Sequence, residues 1–293
     1  MKQQFKKIAF EHKKQNGFQF DLVNFEDILE KTPPDHNQFE FHRVSFYLLL
    51  LITENTGDYN LNFKNYSLKK GTLFTLRKDN IHKFYKSDAK GVLLLFTENF
   101  IVNHSNELEA SNTFLLFNEM LASPKLQLTE VEYKEISSLI KLIRKEYFGV
   151  RDNYSPNIVR NFIQIIITKL FRIKSKDNTV FDNNKYLSMF LELQELVEKN
   201  CFKHKKVSFY ANQMGVTSKT LRNVTQSVIQ KSAKALINDI VIIQSKRLII
   251  NSQDSISEIA YQVGFDEPTN FFKYFKKNTG VSPIQFRETY QML

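Results

Sequence analysis

The sequence predicts an α+β chain. A β-rich front part folds as a β-barrel or jelly roll with helices behind it. An all-α C-terminal part holds two helix-turn-helix units joined by a helix. Three observations predict this. Short strand-like runs, punctuated by Gly, Asp and Asn, fill the chain up to about Asn99. Apolar residues at helical spacing take over after them. The C-terminal part then carries one helix–glycine–helix pattern twice.

Residues 44–52, 59–63 and 92–96 are strand-like, and residues 71–76 alternate. Gly57, Asp58, Asn65, Gly71, Asp79 and Asn80 punctuate them. Short strands with regular turns suit a barrel or double-sheet jelly roll. The unbroken apolar run of residues 46–52 reads as a buried strand. Phe39, Phe41, Phe46, Phe63, Phe74, Phe84 and Phe96 supply the core of this region. Some of them are candidates to line a ligand cavity, since a small barrel can hold one small molecule.

Helices follow. Residues 113–121 are apolar and read as helical. Thr129 and Glu132 have capping-box spacing and lead into Ile136, Leu139, Ile140 and Ile143. Ser155 and Pro156 read as a cap and a first-turn proline. The helix they open, 156–173, carries Ile158, Val159, Phe162, Ile163, Ile165, Ile166, Ile167, Leu170 and Phe171. It is apolar around much of its circumference, so it is expected to be buried on more than one side. A second copy of the chain on one side, or an internal core throughout, both fit. Phe162, Ile166 and Leu170 are the candidate dimerisation residues. Residues 174–184 turn polar and are the expected linker, dividing a front domain, 1–173, from a C-terminal domain, 185–293. A helix over 186–199 opens the latter.

The cleaner helix-turn-helix pattern lies last. Ser255 and Glu258 form a capping box, and Ile256, Ile259, Ala260 and Val263 give the helix an apolar face. Gly264 allows a tight turn, and Pro268 starts a second helix. Phe271, Phe272 and Phe275 form its buried side, leaving Thr269, Asn270, Lys273 and Lys277 polar. The upstream copy runs from Val207 to Val224. Ala211 and Gly215 match Ala260 and Gly264. With one residue of slippage, Leu221 matches Phe271, Val224 matches Tyr274, Ser232 matches Ser282 and Leu236 matches Phe286. Between the copies, residues 232–251 carry Leu236, Ile237, Ile240, Ile243 and Leu248 at helical spacing. About twenty helical residues span roughly 30 Å, against about 34 Å for one turn of duplex DNA. Such a helix can hold two recognition helices in successive major grooves.

Charge agrees with this. The net charge is +10, and from Asn200 onward thirteen Lys and Arg residues face six Asp and Glu residues. An anionic partner is implied, and the paired pattern favours double-stranded DNA. Lys219, Arg222, Asn223, Thr269, Asn270 and Lys273 are the candidate base readers, since Arg suits guanine and Asn suits adenine. Ser218, Lys246, Arg247, Lys276 and Lys277 are the candidate phosphate contacts.

From about Leu187 onward the chain resembles the DNA-binding domain of AraC/XylS-type transcription regulators. The matching residues are Ile256-Ser-Glu-Ile-Ala260, Val263-Gly264-Phe265, Asn270-Phe271-Phe272-Lys273, Phe275-Lys276-Lys277, Gly280-Val-Ser-Pro283 and Phe286-Arg287. The first motif departs from the family pattern. Thr225 stands where an aromatic core residue is common, and Gln230 where glycine is usual. In front, His42, the run 46–54, Lys70-Gly71-Thr-Leu-Phe and His82 resemble the cupin-like sensor domains common in this family. The resemblance implies a sequence-specific regulator, more often an activator, with RNA polymerase as a partner, a homodimer, and a small-molecule effector in the front domain.

The competing reading is a cupin-type metal enzyme fused to a DNA-binding domain. A metal site needs convergent ligands. The histidines His12, His36, His42, His82, His104 and His204 are scattered, with no His-x-His pair, and His42 with His82 supplies at most two ligands. No catalytic constellation stands out, so neither an enzyme nor a cofactor is expected. A third reading, an architectural protein indifferent to DNA sequence, is disfavoured by the base-reading side chains. No run approaches about eighteen apolar residues, so no membrane span is expected. The basic start at Met1 lacks the apolar core of a signal peptide. The one cysteine, Cys201, excludes an intramolecular disulfide and fits a cytoplasmic location.

Overall fold

A computed structural model of the chain describes residues 6–8, 19–30, 37–101, 107–149, 152–176 and 185–291. The chain forms two compact units, one of Lys6–Thr179 and one holding Val180–Leu293. No helix among the described residues is long and apolar enough to cross a membrane.

The front unit is built on two five-stranded sheets. The first contains β1 (Lys6–Ile8), β3 (His42–Val44), β5 (Gly57–Leu61), β6 (Lys64–Leu68) and β8 (Ile81–Phe84), in the order β1-β3-β8-β5-β6. The second contains β2 (Phe20–Asn24), β4 (Tyr47–Glu54), β7 (Thr72–Leu76), β9 (Lys90–Phe96) and β10 (Lys125–Gln127), in the order β10-β7-β4-β9-β2. Only the β1–β3 pair among these ladders is parallel.

The apolar run of β4 has a physical reason. Leu48, Leu50 and Ile52 point between the sheets, among Phe46, Tyr59, Phe74 and Phe84. Tyr47, Leu49 and Leu51 point the other way, into a second core shared with helices α4 (Glu130–Phe148) and α5 (Ser155–Ser175). A strand covered on both faces has no polar alternation to show.

Three expectations are corrected here. The helix expected over 113–121 is α3 (Glu107–Leu116), and the chain turns after it. Ser155 does not cap α5: it is the first helical residue, and its hydroxyl donates to Glu146 Oε1 at 2.6 Å. Asp152 Oδ1 instead accepts from the backbone N–H groups of Tyr154 and Ser155. Finally, Lys174, placed at the start of the linker, is in α5 and buried. Its ammonium donates to Leu116 O at 2.8 Å and Thr75 Oγ1 at 3.2 Å. Of the expected linker, residues 177–184 lie outside the described residues.

The dimerisation residues are corrected too. Ile166 and Leu170 are fully buried in the front unit's own core beneath α5, and Phe162 packs partly against that core. The side of α5 that looks outward carries Ile158 and Ile165, 37% and 44% exposed. Periodicity revealed that α5 is apolar on several sides, but it could not say which side meets the sheet.

The C-terminal unit is helical. It contains α6 (Leu187–Asn200), α7 (Val207–Gln213), α8 (Ser218–Ile229), α9 (Ala233–Asn251), α10 (Ile256–Gln262), α11 (Pro268–Thr279) and α12 (Pro283–Gln291). Ser232 caps α9, whose nineteen residues span about 28 Å at 1.5 Å per residue.

Candidate nucleic-acid interface

Helices α7 and α8 form one helix-turn-helix unit, and α10 and α11 form the other. Their turns are built alike. Gly215 and Gly264 both adopt positive φ, +65° and +80°. The N–H of Val216 donates to Ala211 O at 2.9 Å, and that of Phe265 donates to Ala260 O at 3.0 Å. The slippage between the copies lies just after this turn. Thr217 caps α8 two positions beyond Gly215, whereas Glu267 precedes α11 three positions beyond Gly264, so Asp266 is the inserted residue.

Each second helix sorts its residues by face. On α8, Leu221, Val224, Thr225 and Val228 are buried. Ser218, Lys219, Arg222 and Asn223 are exposed. On α11, Phe271 and Phe275 are buried, while Thr269, Asn270, Lys273, Lys276 and Lys277 are exposed. The caps differ in kind. Thr217 accepts from the Thr220 N–H through its side chain, whereas α11 starts on Pro268 with no side-chain cap. Among the described residues, no acidic side chain lies within ion-pair distance of Lys219, Arg222, Lys273, Lys276 or Lys277. The cationic faces are therefore not neutralised from within. Gln226 shares the exposed face of α8 with Arg222 and Asn223, four and three positions on. The helical period that placed those two would have found it.

Two expected phosphate contacts stand apart from this surface. Lys246 is half-buried on α9, its ammonium 5.4 Å from the centre of the Phe286 ring, and burial pulls its pKa down. Arg247 is half-buried beside it. Charge alone suggested both. Their position in the middle of the unit comes from α9 packing against α6, α8, α10, α11 and α12. Tyr274, matched to Val224, replaces an apolar contact with a hydrogen bond: its hydroxyl donates to Asn238 Oδ1 at 3.2 Å. Burial raises its pKa.

In the front unit a cavity of about 560 Å³ opens into the sheet pair. Val44, Phe46, Leu48, Phe84 and Leu93 form apolar wall, and His42, His82 and Gln38 supply polar groups. His42 and His82 are register partners on β3 and β8, with ring centres 6.2 Å apart. Among the described residues, no three His, Cys, Asp or Glu side chains converge as metal ligands. His12, His36 and His104 lie outside the described residues.

Two units of this kind, a double-sheet domain with a cavity and a paired helix-turn-helix domain with cationic faces, define a DNA-binding regulator. Comparison with known families agrees. The helix-turn-helix domain model matches residues 210–289, and the AraC-like ligand binding domain model matches residues 26–95. The HTH-type transcriptional activator RhaR of Enterobacter sp. (strain 638) is 20% identical over 255 residues, covering 86% of this chain and 88% of its own length. The virulence regulon transcriptional activator VirF of Yersinia enterocolitica is 29% identical over 97 residues, 33% of this chain and 36% of its own. Among solved structures, wild-type ToxT from Vibrio cholerae strain SCE256, bound to an unsaturated fatty acid, aligns over 94% of this chain and 96% of its own. That match has a TM-score of 0.43 and 19% identity. The chain thus joins an AraC-type helix-turn-helix domain to an AraC-like ligand binding domain.

Proposed function

We propose that this regulator is a sequence-specific activator that lays α8 and α11 in successive major grooves of one duplex. The observation that carries this is the repeated, unneutralised polar face on the two helices. Lys219, Arg222, Asn223 and Gln226 read bases from α8, and Thr269, Asn270 and Lys273 read them from α11. Arginine and lysine offer donors to guanine, and amides pair both ways with adenine. Ser218, Lys276 and Lys277 hold phosphates. RNA polymerase is the partner that activation requires, and the cytoplasm is where such a protein works. A division after the end of α5 at Ser175, with the C-terminal domain from 185 to 293, separates sensing from DNA binding.

The front unit adds two functions. Its cavity falls in the range of small-molecule sites, roughly 300–1,000 Å³, and suits an effector with an apolar body and a hydrogen-bonding group facing His42 and His82. The outward strip of α5 formed by Ile158 and Ile165, seven positions apart on one helix face, suits a second copy of the chain. Apolar residues so grouped are the usual mark of association, and a two-fold contact makes one strip serve both partners.

Competition binding tests the DNA reading. Duplexes selected from a random pool by the full chain are expected to outcompete unrelated DNA by about a thousandfold or more at physiological salt. A ratio near one would mean that the chain binds DNA without reading it.

A further inference from the structure

Helix α9 is not the sole tie between the two helix-turn-helix units. The loop between α6 and α7 reaches the turn between α10 and α11. There the Lys205 ammonium donates to three carbonyls: Phe202 O at 2.9 Å, Val263 O at 2.6 Å and Gly264 O at 3.0 Å. An ammonium has three donors, so all are used. It also sits 4.8 Å from the centre of the Phe265 ring, within cation–π reach. The Val263 and Gly264 carbonyls are at the C-terminal end of α10, where helix carbonyls lack internal partners and the dipole is negative. A cation there both satisfies and neutralises them.

The backbones meet at the same place. A Cβ on Gly264 would lie 2.0 Å from Phe202 O, so only glycine lets the two loops approach this closely. A second lysine braces the first: Lys234, in the first turn of α9, donates to Lys205 O at 2.9 Å. Lys205 precedes Lys206, the N-cap of α7, and Val263–Phe265 leads into α11. One side chain thus joins the entry of the first unit to the turn of the second. With α9 as the only connection, torsion along a single helix would decide how α8 and α11 face the duplex. A second attachment closes that freedom.

We infer that Lys205 is a positioning residue that sets the two recognition helices relative to one another, so that the pair accepts a single spacing of subsites on DNA. The inference rests on the two-groove reading given above. It requires no contact between Lys205 and DNA.

The test uses the full chain and its Lys205→Met variant, which keeps much of the side-chain volume and removes the donors. Each is titrated against a duplex selected from a random pool by the wild type, and against the same duplex with one or two base pairs inserted between the subsites. Wild type is expected to lose about tenfold or more on insertion, because rotating one groove by a base pair misplaces a rigid partner helix. Lys205→Met is expected to bind the selected duplex about tenfold more weakly and to lose most of the insertion penalty. A variant that keeps the full wild-type penalty would overturn the inference.

A second measurement does not depend on the variant folding or on DNA. Spin labels are placed at the exposed positions Asn212 and Glu288, in an otherwise wild-type chain with Cys201→Ser. They should give one narrow distance distribution by double electron–electron resonance, broadened by Lys205→Met. A broad distribution in the wild-type background overturns the inference directly. A narrow one that broadens in Lys205→Met supports it. If wild type then shows no penalty for insertion, it is the two-groove reading that fails.

Discussion

Gln230 and Gly280 stand at the same place in the two helix-turn-helix units, each ending its second helix in the left-handed region, at φ +55° and +82°. Glycine adopts that conformation without strain, whereas a residue with a Cβ is disfavoured by about 1–2 kcal/mol. The first unit therefore folds with a strain that the second avoids. Gln230→Gly is expected to stabilise the C-terminal unit by up to about 1 kcal/mol, the gain being partly offset by the greater freedom of glycine in the unfolded chain. Gly280→Ala should destabilise by about 1 kcal/mol for conformational reasons alone, since nothing lies within 4 Å of the added Cβ. Chemical denaturation of the two variants checks both signs. A destabilised Gln230→Gly would show that the glutamine side chain contributes more than its backbone loses.

Lys174 makes stability depend on pH. Burial lowers its pKa from an ordinary 10.5 to about 7, with Glu119 opposing the shift. Between those values the unfolded chain holds a proton that the folded chain does not, so stability rises as pH rises across that window. Below about pH 7 both states are protonated and the penalty of a buried charge is complete. Lys174→Met should remove this slope and leave the remaining pH dependence unchanged. Urea midpoints of wild type and variant at about pH 6.5, 8 and 9.5 compare them. Parallel curves would mean that Lys174 keeps its proton in the fold.

Neighbouring isoleucines on α5 should behave oppositely. Ile165 is 44% exposed on the outward strip, and Ile166 is fully buried against the sheet. Ile165→Glu is expected to give a folded monomer, because a carboxylate placed in a two-fold interface is unpaired in both copies. Ile166→Glu should unfold the front unit, as a buried unpaired charge is far costlier than the loss of packing. Sedimentation with circular dichroism separates the outcomes. An Ile165→Glu chain that sediments like wild type would remove the strip as an interface.

The basic residues divide in the same way. Arg222→Ala should relax discrimination at one base position, at about 1–3 kcal/mol, and Lys276→Ala should lower the salt slope by about one without changing sequence preference. Lys246→Ala is expected to reduce stability through lost contact with the Phe286 ring, and to leave the salt slope alone. A change in slope for Lys246→Ala would put its ammonium on a phosphate after all.

What could be read in advance follows from how local each signal is. Capping boxes at Thr129 and Ser255, the Pro268 start and the turn glycines are set by neighbours within a few positions, and all four occur in the structure. The exposed faces of α8 and α11 were legible because one helical period sorts apolar from polar residues there. Non-local features were not legible. The face of α5 that meets the sheet depends on where β4 and β9 run, so helical period alone could not separate buried Ile166, a dimerisation candidate, from exposed Ile165. Lys174 looked like linker composition, because its acceptors Thr75 and Leu116 are distant in sequence. Short β2 was missed because pairing with β9 supplies its order. Lys205 gave no sign in sequence, since its acceptors across the unit are near Gly264.

The most direct test of two-groove reading is hydroxyl-radical footprinting of the full chain on a duplex that it has selected from a random pool. Two protected segments are expected, one helical turn or about 10 base pairs apart on one face of the duplex, with both weakened together in Arg222→Ala. A single protected segment, or uniform protection at every sequence, would contradict it.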